Sequence, residues 1–195
     1  MNWLAHLFLS EPDVEMRLGN LLADTVKGSA RHDLNPQIQR GIKCHQIIDQ
    51  FTDNHTIVQR SKQRLYPEYR RFSGVIVDVF YDHFLAKNWS SYTNMTLDDF
   101  TTEIYTSFQD YQGQIPYITR QFITRVVDED WLGAYRQIAG VENTLIRISK
   151  RLTRRMNRHF MLHLAVSELT KQYQDFDQDF QEFFPELILY VQNYY

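Results

Sequence analysis

Between residues 35 and 53 the chain has one regular option, an α-helix. Asn35-Pro36 is a helix start, with Asn as cap and Pro at the first helical position. Ile38, Ile42, Ile47, Ile48 and Phe51 then recur at helical spacing and define an apolar side. His45, Asp49 and Asp53 follow at intervals of four on the adjoining side. Four residues advance a helix by about 6 Å and turn it roughly 40° past a full turn, so these side chains stack along one flank. One imidazole and two carboxylates in file are donors for a hard or borderline divalent cation.

The rest of the chain reads as helix too. Its 195 residues include only 7 Gly and 5 Pro, too few for many tight turns. Trp3, Leu4, Leu7 and Phe8 have helical spacing, and Asn2 can cap that turn. Gly19 and Gly28 are expected to bracket a short helical run, GNLLADTVKG. Thr56 is expected to cap a helix to about Leu65, with Pro67 breaking it. Residues 68–89 contain VIVDVF, which has strand-like composition. The apolar pattern continues through Phe84, Leu85 and Trp89, too far for a strand, so a helix is expected. Thr96 with Asp98 and Asp99 starts another helix to about Tyr111. Gly113 and Pro116 mark a turn before a helix to about Val127. Gly140 is expected to stop a short helix, and residues 141–163 and 166–192 hold the remaining ones. No strand alternation and no repeat period is present. The expected fold is all-α, a compact multi-helix bundle forming a single domain over 1–195, with the motifs in 1–90 and a helical C-terminal part over 95–195.

Composition excludes some functions. A net charge of −3 argues against a globally basic nucleic-acid binder. Cys44 is the only cysteine, so neither an internal disulfide nor a cysteine-rich zinc site is available. The opening MNWLAHLFLS is apolar but short, has no basic residue before it, and is followed by Glu11 and Asp13. Neither a signal peptide nor a membrane span is expected, and the protein is expected to be soluble and cytoplasmic.

Polar residues in apolar surroundings form a constellation: His6, Asp24, His45, Asp49, Asp53, Asp78, Asp82 and His83. Crowded carboxylates repel one another unless a cation neutralises them. Two or three imidazoles with several carboxylates, and no thiolate, suit Mn²⁺, Mg²⁺, Fe²⁺ or Zn²⁺. Such a centre acts on a phosphoryl oxygen as a Lewis acid, which points to hydrolysis of a phosphate ester or diester. Charge is also unevenly spread. Arg147, Lys150, Arg151, Arg154, Arg155 and Arg158 form interlocked rows on one expected helix, while the last thirty residues are acidic. Either the two faces pair with each other, or the basic strip docks an acidic or phosphate-bearing partner.

The segments NWLAH (2–6), GNLLADTVKG (19–28), GIKCHQIIDQFTD (41–53) and DVFYDHFLAKNW (78–89) resemble the acyl carrier protein phosphodiesterases. The resemblance implies a divergent, HD-domain-like member of the HD phosphohydrolase superfamily. It implies hydrolysis of the phosphodiester that joins 4′-phosphopantetheine to a serine of holo-acyl carrier protein, with Mn²⁺ as the preferred metal. Asp24, His45, Asp49, Asp82 and His83 are then the expected ligands; Asp53, Asp78 and His6 are the expected catalytic groups. The superfamily's usual adjacent His-Asp pair occurs only as His32-Asp33, in an expected loop. The carrier protein is acidic, so the basic strip at 147–158 becomes its expected docking site. Two alternatives stay open: an HD-type hydrolase of nucleotides or other small phosphodiesters, and a non-catalytic helical module that binds an acidic protein.

Overall fold

A computed structural model describes every residue except 25, 27, 32 and 195, with 29 and 30 described for backbone only. Among the described residues there is no strand. The helices are α1 (Trp3–Phe8), α2 (Val14–Leu22), α3 (Pro36–Asn54), α4 (Thr56–Tyr69), α5 (Ser73–Lys87), α6 (Leu97–Asp110), α7 (Tyr117–Asp128), α8 (Ile138–Met156), α9 (Val166–Lys171) and α10 (Tyr173–Tyr194), joined by short 3₁₀ turns. Among the described residues no helix is long and apolar enough to cross a membrane.

Most start signals in the sequence act as expected; Thr56 does not, being the first residue of α4 after His55, whose side chain makes no capping bond. The side chain of Asn2 accepts from the Trp3 amide, Asn35 from Gln37 and Thr96 from Asp99, each satisfying a backbone donor that the helix itself leaves open. Asp13, unremarked in the sequence, does the same for Met16. Stop signals mislead more often. Pro67 lies inside the last turn of α4, which runs on to Tyr69 and ends at Arg70 with a φ of 48°. There the missing amide costs one hydrogen bond near an end already due. Gly140 lies in the first turn of α8, close against the Ala134 carbonyl, rather than ending a helix. Asn157, in the left-handed conformation (φ 48°), ends α8 well before residue 163.

Gly19 does not open a helix either; it lies inside α2, where α2 crosses α3. A Cβ on Gly19 would lie 2.0 Å from the Ile38 carbonyl oxygen, and one on Gly41 would lie 2.0 Å from that of Met16. The two helices touch backbone to backbone because neither glycine has a side chain.

α5 forms the centre of the bundle and is buried nearly all round, with Ile76, Val77, Val79, Phe80, Tyr81, Phe84 and Leu85 in the core. α1, α4, α8 and α10 pack around it. α10 contributes Phe176, Phe180, Phe183 and Phe184; rings of Phe80 and Tyr81 meet them edge-on or tilted and Phe84 stacks on Phe180, at centroid distances of about 5–6 Å. One connected hydrophobic core runs from Met1 to Val191. The acidic face of α10 pairs with α4, not α8: Arg60 bridges Asp179 and Glu182, and Arg64 reaches Asp175 and Asp179.

Candidate active site

α3 presents His45 and Asp49 one turn apart, and α1 brings His6 against them. The two imidazoles stack with centroids 4.0 Å apart and planes 13° from parallel. Asp49 bridges them: Oδ1 is 3.1 Å from His6 Nε2, and Oδ2 is 3.0 Å from His45 Nε2. Ligand atoms of His6, His45 and Asp49 all lie within 4.8 Å of one another, the one such group among the described residues. Asp24, just past α2, puts Oδ1 3.8 Å from His45 Nε2. The α-ammonium of Met1 lies 3.0 Å from Asp78 Oδ1 and 3.9 Å from Asp49 Oδ1.

Electrostatics follow from this crowding. Burial raises the Asp49 carboxyl, but the hydrogen bonds from His45 and His6 outweigh it and hold Asp49 well below the usual carboxylate range. Burial, and then the neighbouring His45, push His6 down to about 4. Asp78 is raised by burial, against the pull of the Met1 ammonium.

Asn20 on α2 ties the histidines together. Its Nδ2 donates to the His6 carbonyl at 3.0 Å and to Ser10 Oγ at 2.7 Å. Its Oδ1 faces His45 Nδ1 at 3.0 Å. The Asn20 side chain is wholly buried.

The cluster forms the floor of a cleft of about 580 Å³. α7 and α8 form the opposite wall with Arg125, Arg147, Lys150, Arg151 and Arg154. Trp3, Phe122 and Trp131 form an aromatic side. Trp3 stacks on Trp131 at 5.2 Å, and the Arg147 guanidinium covers the other ring pair member, 4.1 Å from the Trp131 centroid. Arg147 also reaches Glu129 at 3.7 Å, but Arg125, Lys150, Arg151 and Arg154 have no carboxylate partner among the described residues.

Of the expected site residues, His6, His45, Asp49, Asp24, Asp53 and Asp78 share this cleft. Asp53 is exposed and holds Lys62 at 2.7 Å. Asp82 and His83 are not there. Asp82 is buried and accepts the amides of Leu4 at 2.7 Å and of Asn2 and Ala5 at 3.3 Å, so it caps α1. His83 pairs through Nδ1 with the Tyr135 carbonyl at 2.7 Å and through Nε2 with the Tyr173 hydroxyl at 2.8 Å. Both fall outside the ligand group because α5 has neighbours on every side, and adjacent residues on a helix point about 100° apart. The basic strip is divided as well. Arg147, Lys150, Arg151 and Arg154 face the cleft; Arg155 does not line it, and Arg158 lies beyond the end of α8. Among the other basic residues, Arg60 and Arg64 are engaged by α10, and Lys27 and His32 lie outside the described residues. Sequence reasoning missed Asn20, Arg125 and the aromatic side. The signal for Asn20 was a lone amide beside Gly19 in an otherwise apolar run.

A helical scaffold that brings histidines and carboxylates to the base of a cation-walled cleft is an enzyme's arrangement, and the class shown by comparison with known proteins is that of phosphodiesterases. The acyl carrier protein phosphodiesterase family profile matches residues 1–187, and the chain belongs to that family. It is 30% identical over 194 residues to the acyl carrier protein phosphodiesterase of Yersinia pestis, covering 99% of this chain and 98% of that one. Identity to the Serratia proteamaculans protein of the same name is 29% over 189 residues, 96% of each chain. For the Escherichia coli protein of that name it is 32% over 159 residues, 79% of this chain and 80% of that one. No solved structure matches the chain.

Proposed function

We propose that the chain hydrolyses the phosphodiester joining 4′-phosphopantetheine to a serine of holo-acyl carrier protein, releasing apo-carrier protein and 4′-phosphopantetheine, with a divalent cation held by His6, His45 and Asp49. The substrate is taken from the name shared by the relatives. The observation that carries the mechanism is the pairing of that three-residue group with unpaired cations across a single cleft.

The donor set suits a metal. Two imidazole nitrogens and a carboxylate converge, and Asp24 and Asp78 add negative charge around them. Mn²⁺ heads the candidates, with Mg²⁺, Fe²⁺ and Zn²⁺ behind it. When bound, the cation supplies Lewis-acid polarisation of a phosphoryl oxygen. The remaining work falls to side chains. Lys150, Arg151 and Arg154 bind the non-bridging phosphoryl oxygens and orient the diester. Asp24, exposed at the cleft edge, takes a proton from the attacking water; Asp53 is the poorer candidate because Lys62 holds it. Water adds to phosphorus as Asp24 takes its proton, the bond between phosphorus and the serine oxygen breaks, and that oxygen is protonated from solvent as Asp24 releases its proton to solvent. The Asp24–His45–Asp49 grouping fits a divergent HD-type hydrolase. Arg155 and Arg158, outside the cleft, are the proposed contacts to the acidic carrier surface.

Mass spectrometry of holo-carrier protein before and after incubation tests this. Loss of the phosphopantetheine mass, abolished by a chelator and restored by Mn²⁺, is expected. No mass change with Mn²⁺, Mg²⁺, Fe²⁺ or Zn²⁺ supplied, alongside turnover of a nucleotide panel, would replace the carrier protein with a small phosphodiester as substrate.

A further inference from the structure

We infer that Asn20 is a positioning residue: it fixes the tautomer of His45 and thereby aims the Nε2 lone pair of that ring into the cluster. The inference deepens the metal-site proposal and rests on it only for the affinity measurement below.

The orientation of the Asn20 amide follows from its neighbours. One end meets the His6 carbonyl at 3.0 Å, and a carbonyl can only accept, so this end is the NH₂. The same end reaches Ser10 Oγ at 2.7 Å, and that hydroxyl sends its own proton to the His6 carbonyl at 2.9 Å. The other end is therefore the oxygen, and it faces His45 Nδ1 at 3.0 Å. An amide oxygen only accepts, so Nδ1 carries the proton. A neutral imidazole has one N–H, which leaves Nε2 with a free lone pair. Nε2 faces Asp49 Oδ2, 3.0 Å away, and Asp24 Oδ1, 3.8 Å away: when protonated it donates to Asp49, and in the neutral ring it is the nitrogen left to offer a lone pair to a cation. At 3.0 Å, Nε2 and Oδ2 are spaced as adjacent ligands of a single cation lying to one side of the pair.

Asn20 cannot turn over without breaking both bonds made by Nδ2. It is wholly buried (0% exposed), so no water replaces what a rotation would lose. One side chain thus holds α1 through the His6 carbonyl and α3 through the His45 ring. Asn suits this post because it both donates and accepts at short reach. Asp lacks the donor, and Gln is one methylene longer.

A long-range ¹H–¹⁵N spectrum of the metal-free protein, recorded at alkaline pH, reads the tautomer directly. A protonated Nδ1 is expected on wild-type His45. In Asn20→Leu the proton is expected to redistribute towards Nε2, and zinc affinity by calorimetry to weaken about 10–100-fold. Ser10→Ala removes an Nδ2 partner and a second donor to the His6 carbonyl but leaves the Asn20–His45 contact in place, and should keep both tautomer and affinity. A wild-type His45 protonated on Nε2 would overturn the inference, as would a folded Asn20→Leu that binds zinc within about twofold of wild type. The wild-type spectrum decides the matter even if Asn20→Leu fails to fold. If zinc does not bind wild type at all, the metal proposal fails separately, and the metal-free spectrum still decides the tautomer.

Discussion

Gly41→Ala tests whether the crossing of α2 and α3 holds the site. An added Cβ would lie 2.0 Å from the Met16 carbonyl oxygen, 2.8 Å from its carbon and 2.9 Å from the Asn20 amide nitrogen. Cβ contacts under 3.0 Å essentially do not occur, and all three atoms are backbone, so no side chain can swing aside. The helices must separate by about 1 Å, the difference between 2.0 and 3.0 Å. Overpacking of this kind costs about 1–3 kcal/mol. In a chain of this size each kcal/mol lowers Tm by roughly 2–4 °C. The same separation stretches the 3.0 Å contact between Asn20 and His45 towards about 4 Å, too long for a hydrogen bond. Urea unfolding followed by circular dichroism, zinc calorimetry and turnover of holo-carrier protein should all deteriorate together. A Gly41→Ala protein within about 0.5 kcal/mol of wild type, with unchanged zinc affinity, would refute this account of how the helices set the site.

Three other outcomes are expected. Asp49→Ala should lose bound metal and hydrolysis while keeping its helical circular dichroism, since Asp49 faces the cleft rather than the core; an active variant with full metal content would remove Asp49 from the ligand group. Charge reversal should separate the basic residues. Arg151→Glu in the cleft should slow hydrolysis of both holo-carrier protein and a small phosphodiester, whereas Arg155→Glu outside it should raise KM for the carrier protein alone; identical losses for the two variants would contradict this division. The third concerns pH and the metal-free protein. Burial pushes Asp82 up to about 7, against an ordinary value of 3.8, so the folded state binds more protons and stability falls as pH rises between about 4 and 7, by up to roughly 4 kcal/mol. Burial lowers His6 from 6.5 to about 4, so there the unfolded state binds more protons and stability falls as pH drops through about 6.5 to 4. The two slopes oppose each other in that window. Asp82→Asn removes the first and should leave stability rising with pH from about 4 to 6.5; a profile parallel to wild type would show that Asp82 does not titrate as described.

Local signals announced most of the scaffold. Asn35-Pro36 and Thr96 are capping chemistry confined to a few residues, and their helices start where that chemistry places them. The length of the apolar run correctly made VIVDVF helical, because a β-branched residue buried on all sides loses nothing by being in α5. Misleading signals were those whose meaning depends on distant partners. Gly19 and Gly140 looked like helix boundaries, yet each is a point of close backbone contact with another segment. Asp82 and His83 looked like a second metal-binding pair, because spacing along α5 gives direction on a helix but not what lies opposite. His45 and Asp49 were easier to place, since α3 has one apolar side and one polar flank. Asn20 carries no charge, so it gave only a faint signal despite making three hydrogen bonds, to the His6 carbonyl, Ser10 and the His45 ring.

The cap that Asp82 places on α1 ties the site to the order of synthesis. α1 has only six residues, well short of what an isolated helix needs in water. His6 is made before the carboxylate that anchors its helix, which comes almost eighty residues later in the chain. Until α5 has emerged and folded, the nascent chain holds His45 and Asp49 without their third companion, and the cluster at the base of the cleft is incomplete.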